Sequence, residues 1–372
     1  MINYFLITIF AVSKTNTTIK NMKRRDFYKI AIGTAASLPL MAMTPPPKDA
    51  ICKKFPRKII KPSRLKIGAT IGLIAPSSPI PLNRFQQTIK NLEGMGFQLV
   101  YNEKNVLATK GYLAGSDELR AAEVNRMFAD KNIDGIWCVR GGYGSARILP
   151  MLDYKMIKKN PQVIIGYSDV TALLHGIFLK TGLVGFHGPV GASTFTDYTT
   201  RHVTSLLMSP KKEYEIDYAK ENLGEDDPIF KPYAISKGIA KGKIVGGNLT
   251  LVSSLMGTPY ELEMKDKLVF LEDIGEKPYR IDRMITQLLL AGGLKEAAGI
   301  VLGVFSDCEA KPNDTSLSLK ETMMDRFKNL GIPVVYGLSF GHISNNFTFP
   351  IGIEATMNTE NFSITLNERA VK

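Results

Sequence analysis

Residues Gln162–Lys180 read QVIIGYSDVTALLHGIFLK, and the reading of this stretch decides the fold. The short apolar run Val163-Ile164-Ile165 stops at Gly166. Tyr167-Ser168-Asp169 follows, and then apolar residues recur with helical spacing at Val170, Leu173, Leu174, Ile177 and Phe178. A buried strand, an abrupt turn and a helix are expected. A serine at such a corner projects its hydroxyl from the carboxyl edge of a sheet, where the following helix N-terminus favours developing negative charge. This is the shape of a nucleophile elbow, although Val170 stands where G-x-S-x-G needs its second glycine. The competing reading is that Ser168 only caps the helix.

Strands and helices alternate outward from this corner. Ile67–Pro76, Gly96–Val100, Gly135–Val139 and Leu183–Phe186 read as further strands, with helical periodicity at Asn83–Leu92 and after a capping Ser116. The alternation predicts an α/β fold with a mostly parallel, doubly wound sheet, whose sites form at the carboxyl ends of its strands. Arg140-Gly-Gly-Tyr-Gly-Ser-Ala-Arg147 lies at one such end and Ser168 at another. The glycine loop lacks the third glycine of a dinucleotide fingerprint and the G-K-S/T of a phosphate loop. It reads either as bare backbone N–H groups brought close to a ligand or as a tight turn.

A second α/β domain with a mixed sheet or barrel is expected further on. We place a leader and tether at 1–60, the nucleophile domain at 61–208, a polar connector at 209–236 and the second domain at 237–372. In the last, Asn248 can cap a helix, Leu268–Leu271 is a strand running into Glu272-Asp273, and Thr315–Leu330 is a helix. Ile351–Thr356 and Phe362–Leu366 close the chain as strands.

The formal charge of +12 over 372 residues invites a nucleic-acid reading, and its distribution argues against one. Residues 1–66 hold 14 Lys/Arg against 2 Asp/Glu, whereas residues 67–372 hold 33 of each. The basic excess belongs to the leader and the start of the mature chain, so no basic groove is implied. Residues 22–43 place a basic segment before an apolar stretch too short for a stable membrane span. Arg24-Arg25 with Phe27 and Lys29 resembles a twin-arginine export signal, and Met22 is the better start. The protein is thus expected to be exported to the periplasm, or cytoplasmic if the leader does not function. The three cysteines and four histidines have no disulfide or metal-site spacing, and Cys138 reads as a buried thiol. Spacing alone leaves His175, His187 and His342 all open as partners for Ser168.

Five separated segments resemble one family, in order. They are Gly135–Arg147, Ile165-Gly-Tyr-Ser-Asp169, Gly246-Gly-Asn-Leu249, Phe270-Leu-Glu-Asp273 with Pro278-Tyr-Arg280, and Gly337–His342. The chain is similar, from about residue 65 onward, to the LD-carboxypeptidases, the muramoyltetrapeptide carboxypeptidase family of serine peptidases. The resemblance implies a triad of Ser168 as nucleophile, His342 as base and Glu272 as its carboxylate partner. It implies an oxyanion hole from the backbone N–H of Asp169 and that of Gly141 or Gly142. It further implies release of D-alanine from a murein tetrapeptide, a homodimer, and no cofactor or metal. Arg140 is a candidate for the substrate carboxylate. The readings kept beside this one are a serine hydrolase acting on another amide, such as a peptide–nucleotide antibiotic, and a periplasmic peptide-binding protein without catalysis.

Overall fold

A computed structural model of the chain describes residues 55–56, 58–224, 227–291 and 293–372. The expected leader, its basic motif and Cys52 lie outside the described residues.

The first sheet has strands β1 (Thr70–Ile74), β2 (Gln98–Val100), β3 (Gly135–Cys138), β4 (Val163–Gly166) and β5 (Phe186–His187). The second sheet takes β6 (Tyr214–Ile216), β7 (Tyr233–Ser236), β8 (Ile239–Asn248), β9 (Lys267–Glu272), β10 (Gly299–Leu302) and β11 (Val334–Tyr336). After these, β12 (Phe349–Pro350) returns to the first sheet, and β13 (Glu354–Asn358) and β14 (Ser363–Leu366) complete the second. The first sheet runs β12-β5-β4-β3-β1-β2 and is parallel except for β12. The second runs β6-β14-β13-β8-β9-β10-β11-β7, with β8 to β11 parallel and the outer strands antiparallel. The fold is therefore the expected α/β one, and the second sheet is open and mixed, not a barrel.

Several boundaries differ from the sequence reading. The polar stretch 209–236 supplies both edge strands of the second sheet, β6 and β7. These strands are three and four residues long and partly exposed, so they lack the apolar run that marks a buried strand. The expected helix 315–330 shortens to Leu319–Phe327, because Ser318 and Glu321 form a reciprocal capping box that fixes its start. The expected strand at 351–356 starts only at Glu354, because residues 351–352 form a turn at Gly352, φ 88°, by which the chain crosses from the first sheet to the second.

The strand–turn–helix of Gln162–Lys180 is realised as β4 and the helix Val170–Thr181, closed by Gly182 in the left-handed conformation. Ten of the helix's 12 residues are buried, because it is covered on every side. One face packs on the first core with Leu149, Ile157 and Ile164. The other meets the glycine-rich end of β8: His175 Nε2 is 2.7 Å from the Gly246 carbonyl, and Asn248 N–H donates to Thr171 Oγ1 at 3.1 Å. This helix ties the two sheets together just behind the corner that carries Ser168. Cys138 is fully buried, as the apolar run around it requires. Among the described residues no helix is long and apolar enough to cross a membrane.

Candidate active site

The first sheet presents two loops side by side at its carboxyl edge. Ser168 follows β4 and adopts φ 63°, a left-handed conformation that costs a non-glycine residue roughly 1–3 kcal/mol. Asp169, not Ser168, is the helix N-cap, and its carboxylate makes no capping bond. Instead Asp169 is buried and accepts the Ser145 N–H at 2.7 Å, which ties the elbow to the glycine loop. The capping reading of Ser168 therefore fails, and its hydroxyl is left to face the cavity beside it.

The glycine loop after β3 packs directly on this serine. A Cβ built on Gly141 would stand 2.9 Å from Ser168 Cβ and 3.2 Å from Ser168 Oγ. Gly142 has φ +116°. Ser78, from the loop after β1, donates its N–H to the Gly141 carbonyl at 3.3 Å and accepts the Tyr143 N–H at 3.0 Å. Beneath the loop the buried Arg120 donates to the Gly144 carbonyl at 2.8 Å, and also to the Pro76 carbonyl and Asp117. Arg147 pairs with Asp117, its Nη2 2.6 Å from the carboxylate, and so holds the outer end of the loop.

The second sheet contributes the other wall. Glu272 ends β9 and is fully buried. His342 follows β11 on the segment bridged to Val304, and its Nδ1 lies 2.7 Å from Glu272 Oε2. A carboxylate can only accept, so Nδ1 carries the proton and Nε2 is free to take one. Burial opposes the charged form of His342, but the Glu272 charge and hydrogen bond outweigh it and raise its pKa above 6.5. Burial likewise pushes the Glu272 carboxyl up, and the His342 charge and hydrogen bond, with His187 behind them, bring it below the ordinary 4.5. Gly341 permits this closeness, since a Cβ there would meet Glu272 Oε2 at 3.1 Å. The Tyr167 ring lies against that of His342, centroids 4.8 Å apart.

Ser168, His342, Gly141, Gly142 and Arg140 line one cavity of about 510 Å³, together with Arg84, Tyr167 and Ile274. Glu272 stands behind His342, outside the cavity wall. Among the described residues no hydrogen bond joins Ser168 to His342; such bonds commonly tighten only when substrate is bound. Arg140 donates to the Pro79 carbonyl at 2.7 Å through Nη1. His175, open as a partner by spacing, is buried mid-helix on the Gly246 carbonyl, and burial takes its pKa down to about 4. Asp273 accepts from Asn248, from Thr250 N and Oγ1, and from Ile274 N, at 2.8–2.9 Å. Burial and the neighbouring Glu272 charge nevertheless lift its pKa to about 6. No group of three or more His, Cys, Asp and Glu among the described residues is placed to hold a metal ion.

Sequence reasoning missed Arg84, Arg120 and Tyr167. Arg120 lies in a helix with a charged residue at every third or fourth position, where burial leaves no mark in the sequence. Tyr167 adjoins the proposed nucleophile, and that adjacency is the one signal that could have flagged it.

Comparison with known proteins bears on what this arrangement does. Residues 71–188 match the family model for the LD-carboxypeptidase N-terminal domain, and residues 241–357 match that for the LD-carboxypeptidase C-terminal domain. A probable murein peptide carboxypeptidase of Bacillus subtilis is 39% identical over 303 residues, covering 80% of this chain and 92% of that one. The murein tetrapeptide carboxypeptidase of Pseudomonas aeruginosa is 30% identical over 302 residues, covering 78% and 94%. The solved structure of MccF in complex with glutamyl sulfamoyl guanosine superposes with a TM-score of 0.75 at 27% identity, covering 84% of this chain and 99% of that one.

Proposed function

Because the chain belongs to the LD-carboxypeptidase family, we propose that it is a serine-type carboxypeptidase releasing C-terminal D-alanine from a murein tetrapeptide. The observation that carries the reading is the 2.7 Å contact of Glu272 with Nδ1 of His342, which lines the same cavity as Ser168.

Ser168 Oγ attacks the carbonyl carbon of the L-centre and its proton passes to His342 Nε2. Glu272 fixes the tautomer and stabilises the imidazolium that forms. The carbonyl oxygen becomes an oxyanion, for which the N–H groups of Asp169 and of Gly141 or Gly142 are the donors. When the tetrahedral centre collapses the C–N bond breaks, and His342 returns the proton to the leaving amine of D-alanine. Water, deprotonated by His342, then clears the ester on Ser168. Arg84 and Arg140 supply positive charge at the cavity for the terminal carboxylate, which selects a chain end over an internal bond.

Mass spectrometry of murein tetrapeptide before and after incubation tests this, with loss of one alanine as the expected result. Ser168→Ala should lower kcat roughly 10³-fold or more. Near-normal release by that variant would reject the nucleophile. Activity should also survive EDTA.

The likeness to MccF supports a second reading, hydrolysis of an aminoacyl–nucleotide conjugate. Side-by-side kcat/KM on both substrate classes separates the two, and tight peptide binding without turnover would instead favour a binding protein. We further propose export through residues 1–60 and a homodimer, to be checked by cell fractionation and by size-exclusion chromatography with light scattering.

A further inference from the structure

A second imidazole stands behind the Glu272–His342 pair. His187, the last residue of β5, is wholly buried. Its ring stacks on Phe349 at 4.5 Å and 15°, and Tyr167 meets it edge-on at 6.1 Å. Its Nε2 lies 3.9 Å from Glu272 Oε1, the carboxylate oxygen that His342 does not use. Glu272 Oε1 and both ring nitrogens of His187 have no hydrogen-bond partner.

Unpaired buried polar atoms cost about 1–3 kcal/mol each. A phenyl ring at position 187 would keep the stack on Phe349 and avoid that cost. Packing therefore does not explain an imidazole here. What the imidazole adds is a ring nitrogen 3.9 Å from the oxygen of a buried carboxylate whose one other neighbouring donor besides His342 is the Asn248 amide. The separation is about 1 Å longer than a hydrogen bond, a gap that a small rotation of either side chain closes.

We propose that His187, as a neutral imidazole protonated on Nε2, is a positioning residue that holds Glu272 Oε1 and so sets both the carboxylate's orientation toward His342 and the basicity of His342. The inference rests on the reading of Glu272 and His342 as the proton-transfer pair. Burial takes the pKa of His187 down to about 4 against the pull of Glu272, so the ring is neutral wherever the enzyme would work. The other groups facing Glu272 are His342, the Asn248 amide, Asp273 and Tyr167, while His175 and His342 add to the cost of a positive charge on His187.

The test uses His187→Phe, which keeps the stack, and His187→Gln, whose amide N–H can reach the same oxygen. Labelled-histidine NMR follows the titration of His342 without substrate, and D-alanine release from murein tetrapeptide gives kcat and KM. In H187F the carboxylate charge falls on His342 alone, so His342 should titrate about half a pH unit higher. The acid limb of kcat/KM should move with it, and kcat should fall roughly 10-fold at little change in KM. H187Q should restore both. An unmoved His342 titration in H187F, or an H187Q that behaves like H187F in both readouts, overturns the proposal. If H187F does not fold, H187Q decides alone: a wild-type His342 titration supports the contact and a displaced one rejects it. A shifted titration in a protein that releases no D-alanine would sink the peptidase reading and leave this contact standing.

Discussion

The backbone of Gly141 runs so close to Ser168 that a methyl group on it would stand 2.9 Å from Ser168 Cβ. Real Cβ atoms do not approach that closely, so Gly141→Ala must push the glycine loop and the elbow apart. The fold can absorb this, because the clash is local and lies at the cavity surface. The chemistry cannot, since a displaced loop takes its N–H groups away from the oxyanion. The expected result is a fall in kcat of roughly 10²-fold with a change in unfolding free energy of about 1–2 kcal/mol. Steady-state kinetics beside a urea melt checks both.

Glu272→Gln keeps the shape of the pair and removes its charge. Burial of His342 is then opposed only by the Asp273 charge, so its pKa should fall from its raised value. The base must be neutral to accept the Ser168 proton. In the wild type, kcat/KM should therefore rise with pH through the raised His342 value. In E272Q the acid limb of the residual activity should move to lower pH, with kcat reduced by about 10³-fold or more. An acid limb that stays in place would show that another group carries it.

These features were unequally legible in the sequence. The strands β3 and β4 announced themselves as apolar runs bounded by glycine, and Ser168 stood at a visible corner between two periodicities. The edge strands β6 and β7 were not visible, because short strands that bury one face carry too few apolar positions, and β12 is two residues long, too short to show any period. Position 272 could be placed at a strand end, but its partnership with His342 could not be read locally. That pairing depends on β9 lying beside β10, with Val304 bridged to Gly341, which is a property of the sheet and not of either segment. The five ordered motifs supplied the pairing. They said nothing of Arg120, whose burial follows from two separate loops, at Pro76 and Gly144, closing over its helix.

Arg120 makes the glycine loop depend on a buried charge. Its Nη1 donates to the Gly144 and Pro76 carbonyls and its Nη2 to Asp117, while its buried Nε has no partner. Arg120→Ala leaves the Pro76 carbonyl without its donor, the Gly144 carbonyl with the Arg147 N–H alone and Asp117 with the Arg147 side chain alone. A loss of about 1–3 kcal/mol of stability is expected, as for a buried acceptor left without its donor, and kcat should fall because Gly141 and Gly142 lose their support. Arg120→Lys keeps the charge without the fork and should recover only part of either. Calorimetry and kinetics on the two variants would expose a purely surface role as unchanged values.

Acid should unfold this protein through its buried imidazoles. Burial takes His175, His187 and His202 each down to about 4, from an ordinary 6.5. Between those values the unfolded chain binds protons that the folded one does not, so stability must rise with pH across this window and fall as pH drops through it. Each group can contribute on the order of a few kcal/mol at the acid end. His342 runs the other way: its folded value is raised, so its contribution is complete below about 6.5 and declines as pH rises through that raised value. Glu272, lowered below 4.5, adds stability above its unfolded value and loses it only in stronger acid. The expected outcome is a steep loss of unfolding free energy between pH 6.5 and 4 in urea titrations. In His187→Phe, one of the three imidazoles is gone and the slope should be shallower. A slope unchanged by that substitution would mean that His187 is protonated in the folded protein.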